Sequence, residues 1–97
     1  MAAYIVATVR ITDPERFALY AKGIAGLSER FGGESVVKGA VQELLEGNGE
    51  PGERVVVSRY PDAESARAYI QCAEYQAAAA LRVGAAEVTM RLLVDPA

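Results

Sequence analysis

Alternating or β-branched apolar residues mark three segments of the 97-residue chain, and each segment predicts a β-strand. The segments run from Tyr4 to Ile11, from Glu53 to Tyr60 and from Val88 to Val94. The first two are followed by an Asp beside a Pro, and a helical pattern begins there at once. The chain therefore contains two strand-helix-strand units in series.

The region between the two helical patterns is the least regular part of the chain. Ser35 to Lys38 is predicted to form a strand, Gly39 a bulge or bend, and Val41 to Leu45 a continuation of that strand. The segment Gly47–Gly52 combines Gly, Asn and Pro, which are typical of turns. This composition predicts a hairpin into the strand that begins at Glu53.

The first helix is predicted to begin after Asp13, whose carboxylate can accept a hydrogen bond from the first turn. Pro14 suits the first helical position, where no N–H is needed. A capping box of Thr12 and Glu15 is the alternative start. Apolar residues then recur at spacings of three and four on one helix face: Phe17, Tyr20, Ile24, Leu27 and Phe31. Their burial is expected to outweigh the glycines among them, so that one helix extends to Gly32-Gly33.

A second helical region follows the cap residue Asp62. It carries a further set of small and apolar residues, Ala66, Tyr69, Ile70 and Ala73. The alanine-rich stretch from Tyr75 to Leu81 is also strongly helical, and it is predicted to stop near Gly84. Cys72 is predicted to be a small helix residue rather than a nucleophile, because no neighbouring Lys or Arg would lower the pKa of its thiol.

The order of elements is β-α-β-β-α-β, which predicts an α+β fold with a four-stranded antiparallel sheet. Two helices can cover only one face of such a sheet. The opposite face would carry a mixed set of side chains: Tyr4, Val6, Thr8, Arg10, Thr89, Arg91 and Leu93. A solvated sheet face is mostly polar, so the apolar members of this set predict a twofold dimer that pairs sheet against sheet.

Composition narrows the function classes. The chain has the length of one domain, residues 1–97, and a net charge of −3 with scattered basic residues, which argues against nucleic-acid binding. It has no leader-like segment and no apolar run of membrane-spanning length, so we predict a cytoplasmic protein. Histidine is absent and there is one cysteine, which excludes Ser-His-Asp and Cys-His catalysis and His-type haem or zinc ligation. We therefore predict no cofactor and no metal.

Several short motifs, in this order, resemble one family. They are Asp13-Pro14-Glu15, the pair Phe17 and Tyr20, Phe31-Gly32-Gly33, Glu46-Gly47, Arg54-Val55-Val56-Val57, Tyr60-Pro61-Asp62, and Glu74-Tyr75-Gln76 followed by Arg82. Together they resemble domain of unknown function 1330, within the dimeric α/β-barrel superfamily. The resemblance implies a ferredoxin-like sandwich that pairs into a dimeric α/β barrel, and it implies no reaction. The chain departs from the family pattern at Arg59, Ala68 and Cys72.

Four residues are candidates for a functional site. Arg82 and Tyr75, on one helix face, could bind a substrate carboxylate; alternatively, Arg82 interacts with the helix end and Tyr75 packs at a rim. Tyr20 could orient a ligand through its hydroxyl, or be a core residue. Glu46 could be a general base at a strand end, or a solvated turn residue or salt-bridge partner.

A second possible cluster consists of Arg10, Ser58 and Arg91. If the strand register placed these residues together at the dimer seam, they could bind an anion, or they could form salt bridges across the interface.

Two functions remain open on the sequence. The first is a homodimer that binds or transforms a small organic molecule, with organic acids as one option, without a cofactor. The second is a non-catalytic structural or regulatory homodimer. Fold relatives in the superfamily include monooxygenases and lactone isomerases, which is an analogy of fold only.

Overall fold

The computed structural model describes residues 1–95. Its strands are β1 (Ala3–Ile11), β2 (Glu34–Ala40), β3 (Arg54–Tyr60) and β4 (Ala86–Val94). Its helices are α1 (Pro14–Gly23), α2 (Ala63–Gln71) and α3 (Ala73–Ala80). The predicted domain also includes Pro96 and Ala97, which lie outside the described residues. In the part described, no helix is long and apolar enough to cross a membrane.

The four strands form one antiparallel sheet in the order β2-β3-β1-β4. The long first strand lies in the middle, where Ala7 is opposite Val56 of β3 and Met90 of β4. The two β-α-β units therefore interleave, which is the ferredoxin-like arrangement. The predicted α+β fold is confirmed.

One face of the sheet, the inner face, is covered by the helices. Ile5, Ala7 and Val9 of β1 are each buried there. Since side chains alternate along a strand, Tyr4, Val6 and Thr8 belong to the opposite, outer face, which no element of residues 1–95 covers. The sequence pattern of β1 predicted this division correctly.

The second strand is shorter than predicted. It ends at Ala40, and its irregularity lies between Ser35 and Val37 rather than at Gly39. Val41 N donates to Glu53 O at 2.7 Å, and this bond closes the hairpin one residue beyond the strand. The predicted strand over Val41–Leu45 is wrong, because the chain turns away from β3 at the point where that strand begins.

The first helix also ends early. Asp13 Oδ1 accepts from Arg16 N at 3.2 Å, so the Asp13 cap is confirmed and the capping box is not formed. The helix stops at Gly23, and Gly26 adopts a φ of 75°, which an α-helix cannot contain. Leu27 is nevertheless buried, because a turn and a 3₁₀ helix over Ser28–Phe31 bring it back to the core.

The second helical region is broken at Cys72. This residue is extended, with φ −68° and ψ 153°, and its Sγ accepts from Tyr75 N at 3.4 Å. The prediction that Cys72 lies within a helix is therefore wrong. In one continuous helix, residues six apart such as Tyr69 and Tyr75 would point roughly 120° apart. The break allows both tyrosines to face the core.

The buried position of Leu27 can be tested by truncation. Leu27 is 5% exposed, so Leu27→Ala should lower the free energy of unfolding by about 2–5 kcal/mol in denaturant melts. Leu19→Ala is the matched control, because Leu19 is 54% exposed. A loss below about 0.5 kcal/mol for Leu27→Ala, similar to that of the control, would contradict the packing described here.

Candidate functional site

Four buried tyrosines form the centre of the core, and we call them the tyrosine cluster: Tyr20, Tyr60, Tyr69 and Tyr75. Tyr69 contacts Tyr75 edge-on with ring centroids 5.0 Å apart, and it stacks on Tyr60 at 6.0 Å. Tyr20 meets Tyr75 edge-on at 6.2 Å. The cluster connects α1, α2, α3 and the end of β3.

The hydroxyl of Tyr75 is the polar centre of this cluster. It lies 3.3 Å from the hydroxyl of Tyr20 and 3.5 Å from Met90 Sδ. Arg82 Nη1 donates to it at 3.2 Å. Because the guanidinium can only donate, Tyr75 Oη is the acceptor of that bond and its own proton is free for Tyr20 or Met90.

Arg82 also packs on the aromatic rings. Its guanidinium carbon lies 4.6 Å from the centre of the Tyr20 ring and 5.8 Å from that of Tyr75. These distances are in the range of cation–π attraction. Arg82 thus holds its charge against two phenols, and in residues 1–95 it forms no ion pair.

Burial raises the pKa values of three phenols, those of Tyr20, Tyr60 and Tyr69. The pKa of Tyr20 lies well above its ordinary value because of burial, while the charge of Arg82 acts in the opposite direction. Burial raises the pKa of Tyr60 to about 12 and also raises that of Tyr69. At neutral pH these phenols are protonated and can act as hydrogen-bond donors.

A cleft of about 460 Å³ lies between α1 and the inner face of the sheet. It exists because α1 packs mainly against α3, where a Cβ added to Gly23 would be 3.1 Å from that of Ala78. The floor of the cleft is apolar, with Ile5, Val9 and Met90 among its residues. This volume lies within the range of small-molecule sites.

Polar side chains border this apolar floor. Tyr20, Tyr60 and Tyr69 of the cluster line the cleft, and so do Lys38 of β2 and Arg54 of β3. The cleft can therefore bury an apolar molecule and offer it hydrogen-bond donors and positive charge. A carbonyl or oxyanion of such a molecule could accept a hydrogen bond from Tyr20.

The structure brings together three of the four candidate residues from the sequence. Tyr20, Tyr75 and Arg82 are in contact, although only Tyr20 lines the cleft, and Arg82 borders a shallow depression beside α3. Glu46 lies in the exposed loop after β2 and is not among the residues that line the cleft.

The second predicted cluster is not formed. Ser58 pairs with Ile5 and therefore belongs to the inner face, whereas Arg10 and Arg91 are on the outer face. Arg10 is 3.3 Å from carboxylates of both Glu50 and Glu87, which favours the salt-bridge interpretation for this residue.

Sequence reasoning missed Lys38, Arg54, Tyr60 and Tyr69 as residues of the cleft. The alternation Arg54, Val56, Ser58, Tyr60 could have placed Arg54 on the inner face if the aromatic Tyr60 had been used to set the register. Lys38 could not have been placed, because the shift between Ser35 and Val37 reverses the faces of β2 after it. Within residues 1–95 no group of three or more His, Cys, Asp or Glu side chains could hold a metal ion.

The fold and the cleft define a ferredoxin-like α+β protein with an open space between its helices and its sheet. The comparison of the chain with protein families gives the same family that the sequence motifs indicated. The chain belongs to the family described as Domain of unknown function (DUF1330), whose model matches residues 2–95. No protein of curated function matches the chain.

Solved structures share this fold. A protein of unknown function from Rhodopseudomonas palustris is 24% identical, with a TM-score of 0.79 over 98% of this chain and 84% of its own. A dimeric ferredoxin-like protein of unknown function from Jannaschia sp. is 14% identical, with a TM-score of 0.72 over 98% and 100%. SnoaB, a cofactor-independent oxygenase from Streptomyces nogalater, is 13% identical, with a TM-score of 0.67 over 99% and 94%.

The raised phenol pKa values predict a loss of stability at alkaline pH. Below the ordinary tyrosine pKa of 10.0, the phenols are protonated in both the folded and the unfolded state. Above it the unfolded chain ionises while Tyr60 in the folded protein does not until about pH 12, so the free energy of unfolding should fall across this interval. Denaturant melts from pH 9 to 11.5 test this, and Tyr60→Phe should reduce the slope with pH. An unchanged slope in the variant would contradict the prediction.

Proposed function

We propose that this protein is a homodimer that binds a small organic molecule in the cleft between α1 and the sheet, without a cofactor. The cleft itself carries the proposal, because it combines an apolar floor with hydrogen-bond donors. Small-molecule sites in proteins have this composition. SnoaB, which shares the fold, is described as a cofactor-independent oxygenase, and this supports the cofactor-free part of the proposal.

In this proposal Tyr20 is the hydrogen-bond donor to the ligand. Arg82 donates to Tyr75, which leaves the Tyr75 proton free to be donated to Tyr20. The proton of Tyr20 is then available to an acceptor in the cleft. Arg82 and Tyr75 act as positioning residues that orient and polarise Tyr20, and Glu46 remains a prediction from sequence that no observed contact supports.

The exposed apolar side chains on the outer face of the sheet support the proposed homodimer. Val37, Val57 and Val6 lie opposite one another across three strands, and with Tyr4 and Leu93 they form a continuous apolar area. Leu93 is 50% exposed and Val37 is 56% exposed in the single chain. A second copy would cover this area, as monomers seldom leave such a surface bare. The Jannaschia protein of the same fold is described as dimeric.

The dimer is tested by sedimentation equilibrium at micromolar concentration. We expect a mass about twice the 10.3 kDa of the chain. Val57→Lys should produce the monomer, because it places a charge in the middle of the apolar area, between Val6 and Val37. Leu19→Lys, on an exposed part of α1, is the control and should remain dimeric. A monomeric wild-type protein, or a Val57→Lys variant with the full dimer mass, would contradict the interface.

The binding site is tested with N-phenylnaphthylamine, an uncharged aromatic probe whose fluorescence rises in apolar surroundings. We expect the wild-type protein to bind the probe and Ala21→Trp to bind it much more weakly, because Ala21 lines the cleft and an indole there would occupy part of the space that the probe needs. Ala77→Trp, on the exposed part of α3, is the matched control and should bind like the wild type.

Two results would contradict the binding function. One is no binding of the probe to the wild-type protein, and the other is equal binding by Ala21→Trp. Cooperative unfolding of each variant must be checked, since loosely packed states also bind such probes. If the protein is a dimer but does not bind the probe, the non-catalytic homodimer is the better explanation of its function.

A further inference from the structure

Two cations enter the cleft from neighbouring strands. Lys38 of β2 lies opposite Val56, and Arg54 of β3 lies opposite Ala40. Lys38 and Arg54 are therefore diagonal neighbours on the inner face, with Cα atoms about 7–8 Å apart. Side chains as long as these can approach a common group from two strands.

Neither Lys38 nor Arg54 forms an ion pair within residues 1–95. The ion pairs in this part of the chain involve Arg10, Arg30 and Arg59 as cations, and neither Lys38 nor Arg54. Glu29 is the single carboxylate that lines the cleft. The cleft therefore has an excess of positive charge in a chain whose net charge is −3.

The cation pair is separated from the paired hydroxyls of Tyr20 and Tyr75 by most of the width of the sheet. Met90, which contacts Tyr75, is on β4, while Arg54 is two strands away on β3 and Lys38 three strands away on β2. At about 4.8 Å per strand, the two polar regions are on the order of 10–15 Å apart. The apolar floor of the cleft lies between them.

We propose that Lys38 and Arg54 bind the anionic group of the ligand, which is an elongated apolar or aromatic molecule carrying a carboxylate or an equivalent anion. This inference rests on the proposed function of the cleft and specifies its ligand class. The apolar body lies over Ile5, Val9 and Met90, and its far end reaches the hydroxyl of Tyr20. A charge-assisted contact at one end and a hydrogen bond at the other give the ligand one orientation.

The experiment compares two probes that share one aromatic skeleton. Anilinonaphthalene sulfonate is anionic, and N-phenylnaphthylamine is the same skeleton without the sulfonate. The wild-type protein should bind the anionic probe more tightly, by about fivefold, which corresponds to roughly 1 kcal/mol for a partly solvated charge pair. Lys38→Gln combined with Arg54→Gln should remove this preference and leave the affinity for the uncharged probe unchanged.

Arg59→Gln is the matched control, because Arg59 is on the same strand as Arg54 but on the outer face. It should keep the preference for the anion. Equal binding of both probes by the wild-type protein would overturn the assignment of Lys38 and Arg54 while leaving the binding function intact. Loss of the preference in Arg59→Gln would also overturn it, since a general charge effect would then explain the result. Failure of both probes to bind would instead contradict the proposed function itself.

Discussion

The hydroxyl of Tyr75 lies in the protein interior between α1, α3 and β4, and an unpaired hydroxyl there would be costly. Tyr20, Met90 and Arg82 each contact it, and each comes from a different part of the chain. These three contacts therefore tie α1, α3 and β4 together at one buried oxygen. Because α1 is drawn toward α3, the space between α1 and the inner face of the sheet stays open as the cleft.

The position of Arg82 changes the chemistry that this residue can perform. The sequence suggested a cation that meets a substrate carboxylate, but the guanidinium is held against the rings of Tyr20 and Tyr75. A charge in this position polarises the phenols and fixes the direction of their hydrogen bonds. The cations that face the cleft directly, Lys38 and Arg54, belong instead to the strands at the other side of the sheet.

The two faces of the sheet differ in whether their charged side chains form ion pairs within the chain. On the outer face, Arg10 and Arg59 already pair with carboxylates of the same chain. Such pairs need no partner from outside, so the apolar area beside them suits contact with a second copy, although Arg91 of the same face forms no ion pair in residues 1–95. On the inner face, Lys38 and Arg54 have no such pairs in residues 1–95, so a ligand would supply the missing negative charge.

The sequence by itself determined β1, β3 and β4, the starts of α1 and α2, and the division of β1 into two faces, because these depend on neighbouring residues and on the period of two. Asp13 and Asp62 cap the helices that follow them, as local hydrogen bonding required. Only the tertiary structure decided that α1 ends at Gly23, that Cys72 separates α2 from α3, and that the shift in β2 turns Lys38 inward. At Cys72 the packing of Tyr69 and Tyr75 in the core outweighed a local preference for one continuous helix, and packing of that kind is not visible in residue spacing.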